Sequence, residues 1–253
     1  MPNIDITGLV TREVKYGENS RILTVLGKDC GKVSVLASRA RTNRSGLLTA
    51  TQLFSYSDFT LFKGRDGSLL KLNEGEVISA FSNIRNSLEK MAYASYFCDI
   101  INQICREGAE ENELLSLILN MLYLLDRDDC TAKKAVKIRA VFQFRALAAA
   151  GFAPDCEGCA ECGSSNAQYF SRSGGVFYCE KCREHGVALS EVSEGIFNAI
   201  KFITTADSRH ILAFSLSDAA MQYLASIGED FVRTQLEHDF KTLDYLKNVI
   251  ALG

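Results

Sequence analysis

Phe54-Ser55-Tyr56-Ser57-Asp58-Phe59-Thr60-Leu61-Phe62 sets aromatic side chains at a period of two, the spacing at which successive residues of an extended chain face opposite sides. Gly64-Arg65-Asp66-Gly67 follows. Asp-Gly suits positions needing positive φ, so a hairpin returns the chain into residues 69–78 as another strand. Working backwards, Lys32-Val33-Ser34-Val35-Leu36 alternates, with Gly31 marking the turn before it. Arg21-Ile22-Leu23-Thr24-Val25-Leu26 is rich in β-formers, and residues 4–10 alternate in part. Five short strands within residues 1–79 predict a small barrel of the OB-fold kind. An SH3-like barrel gives a similar pattern.

After Ser79 the period changes. Ile84, Leu88, Met91, Ser95, Cys98, Ile101 and Cys105 follow helical spacing, as do Leu114, Ile118, Met121 and Leu125, and then Val136, Ala140, Phe144 and Leu147. The third helix stops near Gly151, with Pro154 beyond. Ser190 is a candidate N-cap, with Glu191 and Glu194 at the positive helix end. Ser217 or Asp218 opens a further helix through Phe231 and Leu236. The expected architecture is α+β: a five-stranded OB-fold barrel over residues 1–79, then a helical domain over 80–253 carrying a cysteine insert at 156–182.

Hydrophobic residues make up 47% of the 253-residue chain, enough to bury a core. The start, Met1-Pro2-Asn3-Ile4-Asp5, lacks the basic end and apolar stretch of a secretory signal. The most apolar run, residues 140–152, is broken by Gln143 and Arg145, so no membrane span is expected. Cytoplasmic, reduced thiols are therefore expected. Net charge is −3, but it is unevenly spread. Residues 1–79 hold eleven Lys/Arg against eight Asp/Glu, net +3, and residues 80–253 hold seventeen against twenty-three, net −6. Between Val10 and Leu47 eight cations face three acids, net +5, a local field that attracts a polyanion.

Cys159-Ala160-Glu161-Cys162 and Cys179-Glu180-Lys181-Cys182 are two Cys-x-x-Cys turns separated by sixteen residues. That spacing lets four thiolates close a tetrahedral shell around one structural Zn2+ per chain. A closed shell leaves no coordination position for water, so catalysis at the metal is not expected. Cys156 also forms a Cys-x-x-Cys pair with Cys159. Cys159 with Cys162 is preferred because Gly163 follows and frees the backbone to turn. His185 is expected to face solvent, and Cys98, Cys105 and Cys130 to be core or helix-edge thiols.

No catalytic motif stands out. Gly27-Lys28-Asp29-Cys30-Gly31-Lys32-Val33-Ser34 approaches a P-loop but has three residues between its glycines and Val33 where Ser/Thr would hold magnesium. The protein is read as not an enzyme. Arg39, Arg41 and Arg44 lie on one short loop and present guanidinium forks for phosphate. Arg12, Lys15 and Arg21 flank the predicted turn at Tyr16-Gly17-Glu18-Asn19, and Lys32 adds to the same field. These seven are the candidate DNA-binding residues. Tyr16 either packs or stacks a base.

Several ordered stretches together resemble the bacterial DNA repair protein RecO family. They are Tyr16-Gly17-Glu18-Asn19-Ser20-Arg21-Ile22-Leu23-Thr24; Gly31-Lys32-Val33-Ser34-Val35-Leu36-Ala37; Phe142-Gln143-Phe144-Arg145-Ala146-Leu147 with Gly151-Phe152-Ala153-Pro154-Asp155; and Phe170-Ser171-Arg172-Ser173-Gly174-Gly175-Val176. Gln52-Leu53-Phe54 lacks the family's proline, Ser38-Arg39-Ala40-Arg41 lacks a glycine often found there, and the C-terminal helices match loosely. The resemblance implies a recombination mediator that binds single- and double-stranded DNA and anneals strands. It implies action with RecR to load the recombinase on strands covered by single-strand-binding protein. It also implies a cytoplasmic, nucleoid-associated protein and a groove for the C-terminal tail of single-strand-binding protein, where Lys201 or Arg209 receives a carboxylate. The competing reading is a zinc-stapled protein-interaction scaffold whose barrel binds protein and not DNA.

Overall fold

Alternating residues build a barrel wall because each strand buries one face. The computed structural model describes residues 3–18, 20–38, 45–63 and 69–252. Among them, β1 (Asn3–Tyr16), β2 (Ser20–Gly27) and β3 (Gly31–Ala37) lead through a short helix α1 (Ser45–Ala50) to β4 (Tyr56–Lys63) and β5 (Leu70–Ser79). The five strands close in the order β1-β2-β3-β5-β4. A meander would pair β3 with β4. Here β3 instead runs parallel to β5 while β4 pairs with β1, so the barrel is of the expected OB type. Leu23, Val25, Val35, Phe59 and Leu61 fill the interior.

The strand expected from Phe54 begins two residues later, at Tyr56. Phe54 is not in the strand: it is buried at φ 69, and its N–H donates to Val10 O at 2.9 Å. The inward set of β4 is Ser57, Phe59 and Leu61. Ser57 is tolerated inside because its hydroxyl donates to Ala50 O.

The β2–β3 turn, whose glycines approach P-loop spacing, packs on residues 106–112. Gly31 lies at φ 64 with Ala109 O where a Cβ would stand, and Asp29 N–H donates to Asn112 Oδ1 at 2.9 Å. The helical run expected over 84–105 is two helices, α2 (Ser82–Arg85) and α3 (Leu88–Ile104). Ser87 separates them in extended conformation, and its side chain accepts from Lys90 N–H as N-cap. α4 (Asn112–Asp126) follows. These elements belong to one compact unit, Met1–Asp128 together with Thr242–Gly253.

The second unit, Asp129–Lys241, is built on α5 (Ala132–Ala149), capped by Thr131 and ended by Gly151 at φ 91 as the stop signals predict. The cysteine segment is not all loop: β6 (Tyr169–Ser171), β7 (Val176–Tyr178) and β8 (Leu189–Glu191) form a sheet in the order β7-β6-β8. Ser190 therefore lies in β8 opposite Phe170, and Ser193 is the actual N-cap of α6 (Glu194–Thr205), accepting from Ile196 N–H. Sheet pairing claims the first serine and leaves the second for the helix. Ser217 caps α7 (Asp218–Leu236), and Phe144, Phe170, Phe177 and Phe231 form an aromatic core. A last helix, α8 (Lys241–Leu252), returns to the first unit, where Thr242 Oγ1 donates to Asp99 at 2.7 Å. Among the described residues no helix is long and apolar enough to cross a membrane.

Candidate metal centre and nucleic-acid interface

The sulfurs of Cys159, Cys162, Cys179 and Cys182 lie within 4.8 Å of one another. Local backbone structure explains the convergence. Gly163, at φ 72, donates its N–H to Cys159 O at 2.8 Å, closing the first turn. Cys182 N–H donates to Cys179 O at 3.1 Å, closing the second. The turns are joined because Ala160 N–H donates to Phe177 O at 2.8 Å, while Cys179 directly follows β7. Cys162 and Cys179 sulfurs are 3.7 Å apart. A tetrahedral shell with metal–sulfur bonds of about 2.3 Å sets neighbouring sulfurs about 3.8 Å apart, so the four thiols fit one tetrahedral ion.

Electrostatics agree with that fit. Burial pushes the Cys159 thiol up, but hydrogen bonds from the backbone N–H groups of Cys162, Cys179 and Glu161 and from the Cys162 side chain outweigh it. They bring Cys159 down to about 6. Cys182 moves the other way, to about 12, through its hydrogen bond to Cys179, with partial burial and its bonds to Cys162 and Cys159 adding to it. Thiols this close resist full ionisation unless a cation lies among them. The supporting N–H of Glu161 went unread in the sequence. Its signal is the Cys-x-x-Cys turn itself, which aims interior amides at the first sulfur.

Cys156 is not in the cluster of four thiols. It is buried, burial pushes its thiol up to about 11, and its carbonyl accepts from Lys201 Nζ at 3.3 Å. His185 also lies outside, on the exposed 3-10 turn after Cys182. Lys201 thus ties α6 to the cysteine insert, and Arg209 is exposed and paired with Asp207 at 3.2 Å. Cys98 and Cys105 are core thiols as expected.

The barrel cations are partly brought together. Lys15 stands opposite Arg21, and Arg21 opposite Ala37, so both cations sit at the barrel end where β3 finishes. Arg12 and Lys15 are exposed. Arg21 is half-buried and pairs with Glu13 at 2.6 Å. Lys32 points elsewhere: its ammonium donates to Asn102 O at 2.8 Å near the end of α3, where the helix dipole favours a cation. Arg39, Arg41 and Arg44 lie outside the described residues, as does the Gly64–Gly67 turn.

Fold and site together define an OB-barrel protein with a helical body and a cluster of four thiols able to hold a metal ion. Family models described as recombination protein O N terminal and C terminal match residues 1–81 and 85–244. A DNA repair protein RecO of Acetivibrio thermocellus is 35% identical over 98% of each chain. One of Alkaliphilus metalliredigens is 28% identical over 97% of this chain and 99% of its own, and one of Clostridium perfringens 26% over 98% of each. The chain belongs to the recombination protein O family, and its role is in DNA repair.

Proposed function

We propose that the protein is a recombination mediator without catalytic activity of its own, stapled by one structural zinc. It binds single- and double-stranded DNA, promotes annealing, and acts with RecR to load the recombinase on strands covered by single-strand-binding protein. The observation that carries the DNA reading is the register that sets Lys15 opposite Arg21 at the end of β2 where β3 finishes, with Arg12 and Lys15 exposed on β1. Phosphates fall to Arg12, Lys15, Arg21, Arg39, Arg41 and Arg44; Lys32, held by Asn102, adds to the field. Four thiolates favour zinc or an iron–sulfur cluster; with no reaction asked of the centre, zinc is the better reading. Lys201 and Arg209 are offered to the carboxylates of the single-strand-binding protein tail. Cytoplasmic, nucleoid-associated placement follows from the role.

Oligonucleotide binding across a salt series tests this. Replacing Arg39, Arg41 and Arg44 with Ala flattens the slope of log affinity against log salt by about 2 on single strands, roughly 0.7 per contact, and weakens all sequences alike. Wild-type affinity and slope in the triple variant would remove the loop from the site.

A further inference from the structure

Beyond the bulge near Thr11, β1 has left its pairing with β4 and continues against β2. Residues directly opposite in neighbouring strands share a face. Val14 is opposite Ile22, Ile22 is opposite Leu36, and Leu36 lies beside Lys71 of β5. This row is on the outer face, because the alternate residues Leu23 and Val35 are fully buried inside. Tyr16 flanks it on one side and Arg12 on the other. Val14 is 47% exposed and Tyr16 55%. Tyr16 is thus not a core residue, and an aromatic and a branched aliphatic face water on a face that also carries Arg12 and Lys71.

We propose that this face is a stacking shelf for unpaired nucleotides. Tyr16 takes a base on its ring, the Val14–Ile22–Leu36 row carries the next, and Arg12 and Lys71 hold flanking phosphates. The inference rests on the mediator reading and adds what is recognised: exposed bases, and not phosphate alone. A purely cationic face takes duplex and single strand alike, because phosphates carry the contact. Bases offer a flat apolar surface only when unpaired, and stacking on such a platform tolerates any sequence. An acidic peptide would also match apolar residues beside cations. The nucleotide is favoured because an exposed ring ends the apolar row while Arg12 and Lys71 stand at separate edges of it, so base and phosphates are met on one face, within a segment of net charge +5.

The chain has no tryptophan, so Tyr16→Trp in the full-length protein reports on the shelf alone. A single-stranded oligo-dT should quench that emission, while an abasic strand of equal length and a blunt duplex should not. Tyr16→Ala should weaken oligo-dT binding roughly tenfold without changing the salt slope, since stacking releases no counterion. Arg12→Ala should flatten the slope by about 0.7. Absence of quenching, with Tyr16→Ala at wild-type affinity and Arg12→Ala weakened, overturns the shelf and leaves the mediator reading standing. Quenching by an acidic peptide but not by oligo-dT assigns the face to a protein and also overturns the shelf. If the wild type binds no oligonucleotide, both readings fall.

Discussion

Gly31 has room for nothing larger than hydrogen. Its φ of 64 suits glycine, and a methyl would enter the van der Waals shell of Ala109 O, a backbone atom that cannot swing aside. Gly17 has nearly the same φ, 63, with open space around it. Gly17→Ala should cost about 1 kcal/mol, the left-handed penalty alone, and Gly31→Ala about 2–4 kcal/mol because a clash is added. Urea midpoints decide it; equal losses would mean the turn does not pack on the loop as described. Arg139 and Glu229 pair at 2.6 Å with both side chains 6% exposed. Arg139→Met leaves a buried carboxylate and should lose about 3–5 kcal/mol, while the double variant with Glu229→Leu should recover most of it. A double variant as unstable as the single would refute that. Neither residue was read from the sequence as buried, since an Arg and a Glu in helices default to surface positions.

The cysteine insert is the element whose folding is most local. Its two turns and the β6–β7 hairpin use hydrogen bonds between residues close in sequence, and a metal held by the four thiols would couple their folding to its binding. Cys162→Ser should release the metal and expose insert amides to hydrogen exchange; Cys156→Ser should retain it. Metal analysis of both variants checks this, and the opposite result moves the site by one pair. Acidification should also strip the metal, because protons compete for thiolates and affinity falls with falling pH. Retention undiminished at low pH would argue against thiolate ligation. The convergence of the four thiols was legible from spacing alone. The small sheet was not: three-residue strands carry too little alternation to register, which is also why Ser190 read as a cap.

At the scale of the whole molecule, the chain's last helix completes its first unit. Leu243 and Leu246 of α8 are fully buried. Each is worth about 1.5–3 kcal/mol, so deleting residues 241–253 should destabilise the barrel-bearing unit by about 3–6 kcal/mol in denaturant unfolding. A deletion leaving that unit's midpoint unchanged would show α8 dispensable. Nothing in residues 241–252 announced this destination, because an amphipathic helix states that it needs an apolar partner and not which one. The sequence by itself determined the barrel's strands, the helical body and the four thiols. All three rest on periodicity or spacing within a few dozen residues, where φ/ψ preference and side-chain alternation act directly. Only the tertiary structure decided that β3 closes on β5, that Lys32 turns to Asn102, and that Arg12, Val14 and Tyr16 share an outer face with Ile22 and Leu36. Those facts depend on strand register, where a shift of one residue moves every side chain to the opposite side of the sheet, and register is set by packing between segments far apart in the chain.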